Sequence, residues 1–281
     1  MRWKRGDKLQ DGKYTIREVL GDGGFGITYR VREQNGKQFA VKTLNEEAQA
    51  RGDFDKLQAD FINEAMRLAK FNHRHIVKVE KVFPETVARN IVNSGNNFFT
   101  RFFSPPNNFP PITLWCILME YIEGENLASY LSRRGVLPEA EALRYIRQIG
   151  EALTVVHLEG LLHRDIKPAN IVLRASNSEA VLIDFGIARD FTPNHTTHTE
   201  AGTPCYAAIE QFYSNVAPPG EYTDVYALAA TLYSLLTGKL PTPTIAEELK
   251  GTNISYQLRE AIRIGVKQLR LCSWSNSFCA A

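Results

Sequence analysis

Long apolar runs are scarce in this sequence. The strongest, Val225 to Leu236, falls well short of the roughly 20 residues needed to cross a bilayer, so it is expected as a buried core helix and no membrane segment is expected. The basic start, MRWKRGDKLQ, leads into DGKYTIREV and not into an apolar stretch, which argues against a secretory signal. Cysteine is also sparse: Cys116, Cys205, Cys272 and Cys279 form no C-x-x-C pair. That spacing disfavours a disulfide framework or a zinc site and points to a reducing, cytoplasmic compartment. Neither sign of charge dominates, with 33 basic residues against 31 acidic ones and a net charge of +2. Composition therefore gives no reason to expect a nucleic acid or a membrane surface as partner. What the chain does have is 281 residues of which 44% are hydrophobic, enough for one large domain or two lobes.

The order of the patterns is more informative. After the turn signal Asp11-Gly12, YTIREVL reads as a strand, meets a glycine cluster, and is followed by ITYRVRE, the turn Asn35-Gly36 and KQFAVKTL. An antiparallel three-strand meander is expected. Leu57, Phe61, Ala65 and Leu68 then recur at helical spacing, and IVKVEKVF and ITLWCILMEYI read as two more strands. Beyond Gly124 the periods become helical: one long amphipathic helix follows Pro138 and closes at Gly160, and another, TDVYALAATLYSLLTG, ends at Gly238. The short strand-like pieces NIVL and AVLIDF lie between them. The expected fold is α+β and bilobal, a small antiparallel sheet with one helix followed by a mainly helical lobe, with a crevice between the two. The domain is placed at 14–281, divided into 14–118 and 119–281. A segment rich in Asn, Pro and Phe, 84–111, looks inserted between two strands, either as a mobile loop or as a docking element.

Gly21-Asp22-Gly23-Gly24-Phe25-Gly26 lies between strands, where glycines let backbone N–H groups approach phosphate oxygens with no Cβ in the way. A strand follows it, which disfavours a dinucleotide-binding turn, since that turn opens a helix. Lys42 stands on the third strand of the meander among Phe39, Ala40 and Val41, within reach of the glycine turn. A lone cation in an apolar strand calls for a buried partner, and Glu64 on the following helix is the candidate.

His163-Arg164-Asp165-Ile166-Lys167-Pro168-Ala169-Asn170 and Asp184-Phe185-Gly186 complete the set. With the glycine turn and Ala40-Val41-Lys42, these segments closely resemble the signature motifs of Hanks-type serine/threonine protein kinases, and the likeness covers nearly the whole chain. Gly-Gly-Phe-Gly-Ile-Thr-Tyr resembles the bacterial branch. The resemblance implies ATP and Mg²⁺ as cofactors and a protein serine or threonine as acceptor. It implies that Asp165 takes the hydroxyl proton, that Lys167 steadies the γ-phosphate and that Asn170 and Asp184 bind Mg²⁺. It implies that Leu20, Gly21, Asp22, Gly23, Gly24, Phe25, Gly26, Ile27, Thr28, Ala40 and Lys42 surround ATP. Glu64 would hold Lys42, while Met119, Glu120 and Ile122 would line the adenine pocket.

Lys167 and Gly202-Thr203-Pro204-Cys205-Tyr206 are similar to the serine/threonine branch, and Asp224 would brace the catalytic loop. Among Thr192, Thr196, Thr197 and Thr199, the last matches the family's regulatory phosphosite best, Thr197 being second; Arg164 would receive the phosphate. His195 and His198 read as solvated loop residues. Ala208-Ile209-Glu210 stands where the family has Ala-Pro-Glu, and CSWSNSFCAA stands where it has a D-P-x-x-R-P segment whose arginine pairs with that glutamate. A shortened helical lobe is therefore expected, and a catalytically impaired nucleotide-binding or scaffolding module is the alternative to an active kinase. A small-molecule kinase fits Gly202 to Gln211 less well.

Overall fold

The computed structural model describes residues 2–24, 26–87, 111–185, 204–212, 217–241, 254–260 and 262. The chain forms two compact units, Met1–Lys70 with Val79–Tyr121, and Phe71–Lys78 with Ile122–Ala281.

The first unit is built on six antiparallel strands: β1 (Lys8–Leu9), β2 (Tyr14–Gly23), β3 (Gly26–Glu33), β4 (Gln38–Leu44), β5 (Val79–Val87) and β6 (Ile112–Glu120), in the order β1-β2-β3-β4-β6-β5. Alternation sets the faces. On β3, Ile27, Tyr29 and Val31 are buried while Thr28 and Arg30 are not. The buried set joins Tyr14, Phe83 and Leu118 in one core, each large side chain contributing about 1.5–3 kcal/mol by leaving water. Asn35-Gly36, with Gly36 at φ 96°, turns β3 into β4, and the Asn35 side chain accepts the Lys37 N–H.

Among the described residues of this unit are also two helices, α1 (Glu46–Gln49) and α2 (Phe54–Leu68). Asn45 caps α1, accepting the Ala48 N–H at 3.0 Å. Leu57, Phe61, Ala65 and Leu68 are the buried stripe of α2, which packs on β5 and β6. From the same helix Gln58 accepts the Trp115 N–H of β6 at 3.1 Å.

Three boundaries differ from the sequence reading. The unit starts before residue 14, because Trp3 and Leu9 are buried in its core. β5 runs through Val87, so Pro84 to Val87 belong to a strand and not to an insertion. Pro84 is tolerated because β5 is an edge strand. The first unit also extends to Tyr121, beyond the expected limit at 118. The rest of the 84–111 segment up to residue 110, and residues 263–281, lie outside the described residues.

The second unit carries a three-stranded sheet of β7 (Gly124–Asn126), β8 (Ile171–Arg174) and β9 (Ala180–Leu182), with helices α3 (Leu127–Arg134), α4 (Glu139–Leu158) and α5 (Glu221–Thr237). Only glycine fits at 124, since a Cβ there would overlap the Leu173 carbonyl of the paired strand. Asn126 caps α3 through the Ser129 N–H at 2.8 Å. Tyr145, Ile149, Leu153 and Val156 form the buried face of α4, which packs against α5.

Helix α5 contains the apolar run that begins at Val225 and buries Ala227, Ala230, Leu232, Tyr233 and Leu235. It ends at Gly238 in the left-handed region, φ 69°, where the Gly238 N–H closes on the Ser234 carbonyl. Among the described residues no helix is long and apolar enough to cross a membrane. The segment 71–78 pairs with β9, Leu182 donating to the His75 carbonyl at 2.9 Å and Val77 donating to the Leu182 carbonyl at 3.0 Å.

Candidate active site

In the second unit, the segment His163 to Asn170 connects the end of α4 to β8 and is held from beneath by Asp224, in the first turn of α5. Asp224 is fully buried. Its Oδ1 accepts the Arg164 N–H at 2.7 Å, and its Oδ2 accepts the His163 N–H at 2.9 Å and His157 Nε2–H at 2.8 Å. Burying a carboxylate is costly unless its lone pairs are filled, and here three donors fill them. The brace expected of Asp224 is thus present. His157, which the sequence reading passed over, completes it.

His163 is buried, and its ring is fixed by two neighbours. Nδ1 accepts the Asp165 N–H at 3.2 Å and Nε2 faces the Ile183 carbonyl at 3.1 Å. Those partners require a neutral ring with the proton on Nε2. Burial holds its pKa below the ordinary histidine value, outweighing the nearby Asp224 and Asp165. Phe185 packs on the same ring at 4.5 Å between centroids, anchoring the residue next to Asp184.

This frame presents Asp165. Its Oδ2 lies 3.0 Å from Lys167 Nζ and accepts Asn170 Nδ2–H at 2.9 Å, and the same amide donates to the Asp165 carbonyl at 2.8 Å. Pro168–Asn170 form a single 3-10 turn, closed by the Asn170 N–H on the Lys167 carbonyl. The Asn170 carbonyl accepts the Ile183 N–H at 2.9 Å, which places the loop beside the strand end that carries Asp184. Arg164 and Asp184 have φ of 63° and 60°. Left-handed backbone at non-glycine residues costs on the order of 1–3 kcal/mol and clusters at functional sites. Gln211 supports this conformation by donating to the Arg164 carbonyl at 2.8 Å.

With its amide nitrogen committed to Asp165, Asn170 has its side-chain oxygen as the atom able to ligate a cation. That oxygen and the Asp184 carboxylate are hard donors that fit Mg²⁺, an ion usually held by one or two protein oxygens together with substrate phosphates. Among the described residues no cluster of three or more His, Cys, Asp or Glu side chains competes as a metal site.

In the first unit, the glycine turn closes the β2–β3 hairpin through the pairs Asp22–Ile27 and Gly23–Gly26. Lys42 pairs with Thr28 across β3 and β4, and a Cβ on Gly26 would come within 3.0 Å of Lys42 Cε. The lysine stem thus lies against Gly26, where a side chain would push it aside. Asn45, also unremarked in the sequence, donates to the Gly24 carbonyl at 2.8 Å. Gly21, Gly23 and Gly24 carry no contact that a side chain would meet, and Leu20 is exposed.

Ala40 pairs with Met119 and Phe39 with Glu120, which puts the expected adenine-side residues on neighbouring strands. Glu64 is half-buried on α2. Ile27 departs from expectation: its side chain is buried in the core, on the face opposite Thr28 and Lys42, so only its backbone is left for a nucleotide. Ile122 is buried and opens the second unit. Phe25, Gly186, Thr192, Thr196, Thr197, Thr199, His195 and His198 lie outside the described residues.

Glu210 is buried in a 3-10 turn, Ile209–Gln211. Its Oε1 accepts the Thr223 hydroxyl at 2.7 Å, while its Oε2 is buried without a hydrogen-bond partner among the described residues.

Residues 14–277 match the protein kinase domain family. The chain is 32% identical to the serine/threonine-protein kinase PkaA of Streptomyces coelicolor over 245 residues, covering 82% of this chain and 39% of that protein. It is 30% identical to the serine/threonine-protein kinase drp72 of Corynebacterium efficiens over 270 residues, covering 91% of this chain and 47% of that protein. The crystal structure of the Mycobacterium tuberculosis PknI kinase domain superimposes with a TM-score of 0.60 at 27% identity, covering 86% of this chain and 80% of that one. This chain therefore belongs to the protein kinase family, in its bacterial serine/threonine type. Use of ATP and a divalent metal is general in that family. The chain spans less than half the length of these curated relatives, 39% and 47%.

Proposed function

We propose that this chain transfers the γ-phosphate of ATP to serine or threonine hydroxyls of protein substrates. The observation that carries the reading is Asp165, a carboxylate held at 3.0 Å from Lys167 and 2.9 Å from Asn170 above the Asp224 brace. Asp165 accepts the proton of the substrate hydroxyl as the hydroxyl oxygen bonds to the γ-phosphorus. The bond from that phosphorus to the β,γ-bridging oxygen breaks, and ADP leaves. Lys167 offsets negative charge on the moving phosphoryl oxygens, which is most of what such a site must do. Asn170 and Asp184 would hold Mg²⁺, which when bound neutralises charge on the phosphates. The glycine hairpin and Lys42 orient the α- and β-phosphates, and Glu64 holds Lys42. Met119 and the backbone at Glu120 and Ile122 receive the adenine.

Lys167 and the segment Gly202 to Tyr206 support serine or threonine over tyrosine. Phosphorylation at Thr199, received by Arg164, is proposed as the activating event. A Thr199→Ala chain with unchanged autophosphorylation and activity removes that switch. A cytoplasmic setting rests on the number and spacing of the cysteines.

The test is transfer from labelled Mg·ATP to a generic protein substrate, with phosphoamino-acid analysis. Asp165→Asn is expected to reduce the rate by about 10²–10⁴-fold while Mg·ATP still binds. Asp165-independent transfer, or label on tyrosine alone, overturns the reading.

A further inference from the structure

The family match begins at residue 14, yet the chain before it is built into the first unit. Trp3 is 6% exposed, stacks obliquely on Tyr29 with centroids 5.4 Å apart, and donates its backbone N–H to the Tyr29 hydroxyl at 3.2 Å. Tyr29 is itself fully buried. A tight turn follows, in which Asp7 accepts the Lys4 N–H on its carboxylate at 2.8 Å and donates its own N–H to the Lys4 carbonyl at 3.0 Å. Gly6 then donates to the Ile16 carbonyl and Ile16 donates back to the Asp7 carbonyl, leading into the β1–β2 pairing. Thus a segment with no place in the phosphate chemistry is fastened to β2 and β3, the two strands that carry the glycine hairpin.

Arg2 carries this segment to that hairpin. Arg2 Nη1 lies 2.8 Å from Asp22 Oδ2, and Asp22 is the residue paired with Ile27 at the hairpin's last rungs. Arg2, Asp22, Asn45 and Glu46 line a polar cavity of about 190 Å³ on this side. On the Asp22 and Gly24 side the hairpin is held by polar contacts, Arg2 on Asp22 and Asn45 on the Gly24 carbonyl, while Ile27 anchors the opposite strand in the core. Glycines at 21, 23 and 24 give the backbone little stiffness of its own.

We propose that residues 2–9 are a brace that sets the position of the glycine hairpin, with Arg2 as a positioning residue acting on bound nucleotide through Asp22. Its link to nucleotide rests on the kinase reading above. A segment that merely sealed the core would affect stability alone. An exposed ion pair adds little to stability, but this one acts on a flexible element whose position sets the approach of N–H groups to phosphate.

The full 281-residue chain and its Arg2→Ala, Arg2→Lys and Asp22→Asn variants are compared by Kd for Mg·ATP, by KM and kcat, by Tm, and by hydrogen exchange of the amides at 21–24. Arg2→Ala is expected to raise Kd and KM about two- to five-fold, the range an exposed ion pair can supply, with kcat and Tm unchanged and faster exchange at 21–24. Arg2→Lys recovers most of the loss. Asp22→Asn with Arg2→Ala is no worse than either alone. At 1 M salt, where screening acts over about 3 Å, the wild type approaches Arg2→Ala. Unchanged Kd and exchange in Arg2→Ala overturn the brace, as does a loss that tracks Tm alone. If no variant, wild type included, transfers phosphate while Kd and exchange shift as stated, the kinase reading fails and the brace stands.

Discussion

Asp224 Oδ2 accepts the backbone N–H of His163 at 2.9 Å, joining the first turn of a buried helix to a loop 61 residues earlier. The same carboxylate holds Arg164 N–H and His157, so three donors are served by one side chain. Asp224→Asn exchanges an acceptor oxygen for an NH₂ that faces another donor. Charge-assisted hydrogen bonds of this kind are worth about 1.5–3 kcal/mol each, and an orphaned buried donor adds a penalty of its own. A loss of about 2–4 kcal/mol is expected, lowering Tm by several degrees in a thermal scan. Phosphotransfer should fall further than nucleotide affinity, because the loop that carries Asp165 loses its footing. An Asp224→Asn chain with wild-type Tm and kcat contradicts the brace.

Asn170 acts on Asp165 as well as toward metal. Its Nδ2 donates to the Asp165 carboxylate and to its carbonyl. Asn170→Asp replaces the donor with a second carboxylate about 2.9 Å away. Two carboxylates so close resist ionising together, so the acid limb of the pH profile for kcat/KM should move to higher pH. Asn170→Ala should lower activity with a smaller movement than Asn170→Asp. An unshifted acid limb in Asn170→Asp removes Asn170 as a partner of Asp165.

The strands β2, β3 and β4 and the helices α2, α4 and α5 were legible because each buries one face at its own period, and turn residues mark their ends. Asp165, Asn170 and Asp224 were legible because the motif orders them along the chain. The N-terminal segment was not. Trp3 and Leu9 are too few and too irregularly spaced to show a period, and their burial depends on a sheet formed later in the chain. His157 closes a helix, where a histidine is ordinarily explained by the helix dipole. Only the fold brings it to Asp224. Ile27 was within reach of the sequence, since alternation with Tyr29 and Val31 already assigns it to the core face.

His163 and His75 make stability depend on pH in a definite direction. Burial lowers the pKa of both, and each ring faces a backbone carbonyl, Ile183 for His163 and Ala180 for His75. With the folded pKa below the unfolded value of about 6.5, the unfolded chain binds protons first as pH falls. Stability is thus full above that value and is lost progressively below it, down through the folded pKa. Tm should decline between pH 7.5 and 5.5, and nitrogen-detected NMR should show His163 as the Nε2–H tautomer at pH 7.5. A His163 ring that titrates at or above 6.5 contradicts the assignment.

Thr223 is the one hydrogen-bond donor seen on the buried Glu210 carboxylate among the described residues, and its oxygen also accepts the Gly220 N–H at 3.1 Å. Thr223→Val keeps the shape and removes both interactions. Glu210 is then left buried with no donor from those residues on either oxygen. Removing a neutral hydroxyl donor from a buried carboxylate costs about 1.5–3 kcal/mol, a sizeable part of a typical total of about 5–15 kcal/mol. Replacing both partners by apolar groups of similar size avoids that penalty, so Thr223→Val combined with Glu210→Met should be more stable than Thr223→Val alone. Urea denaturation of the two variants measures the difference. If the double variant is the less stable, Glu210 has a second partner strong enough to hold its charge without Thr223.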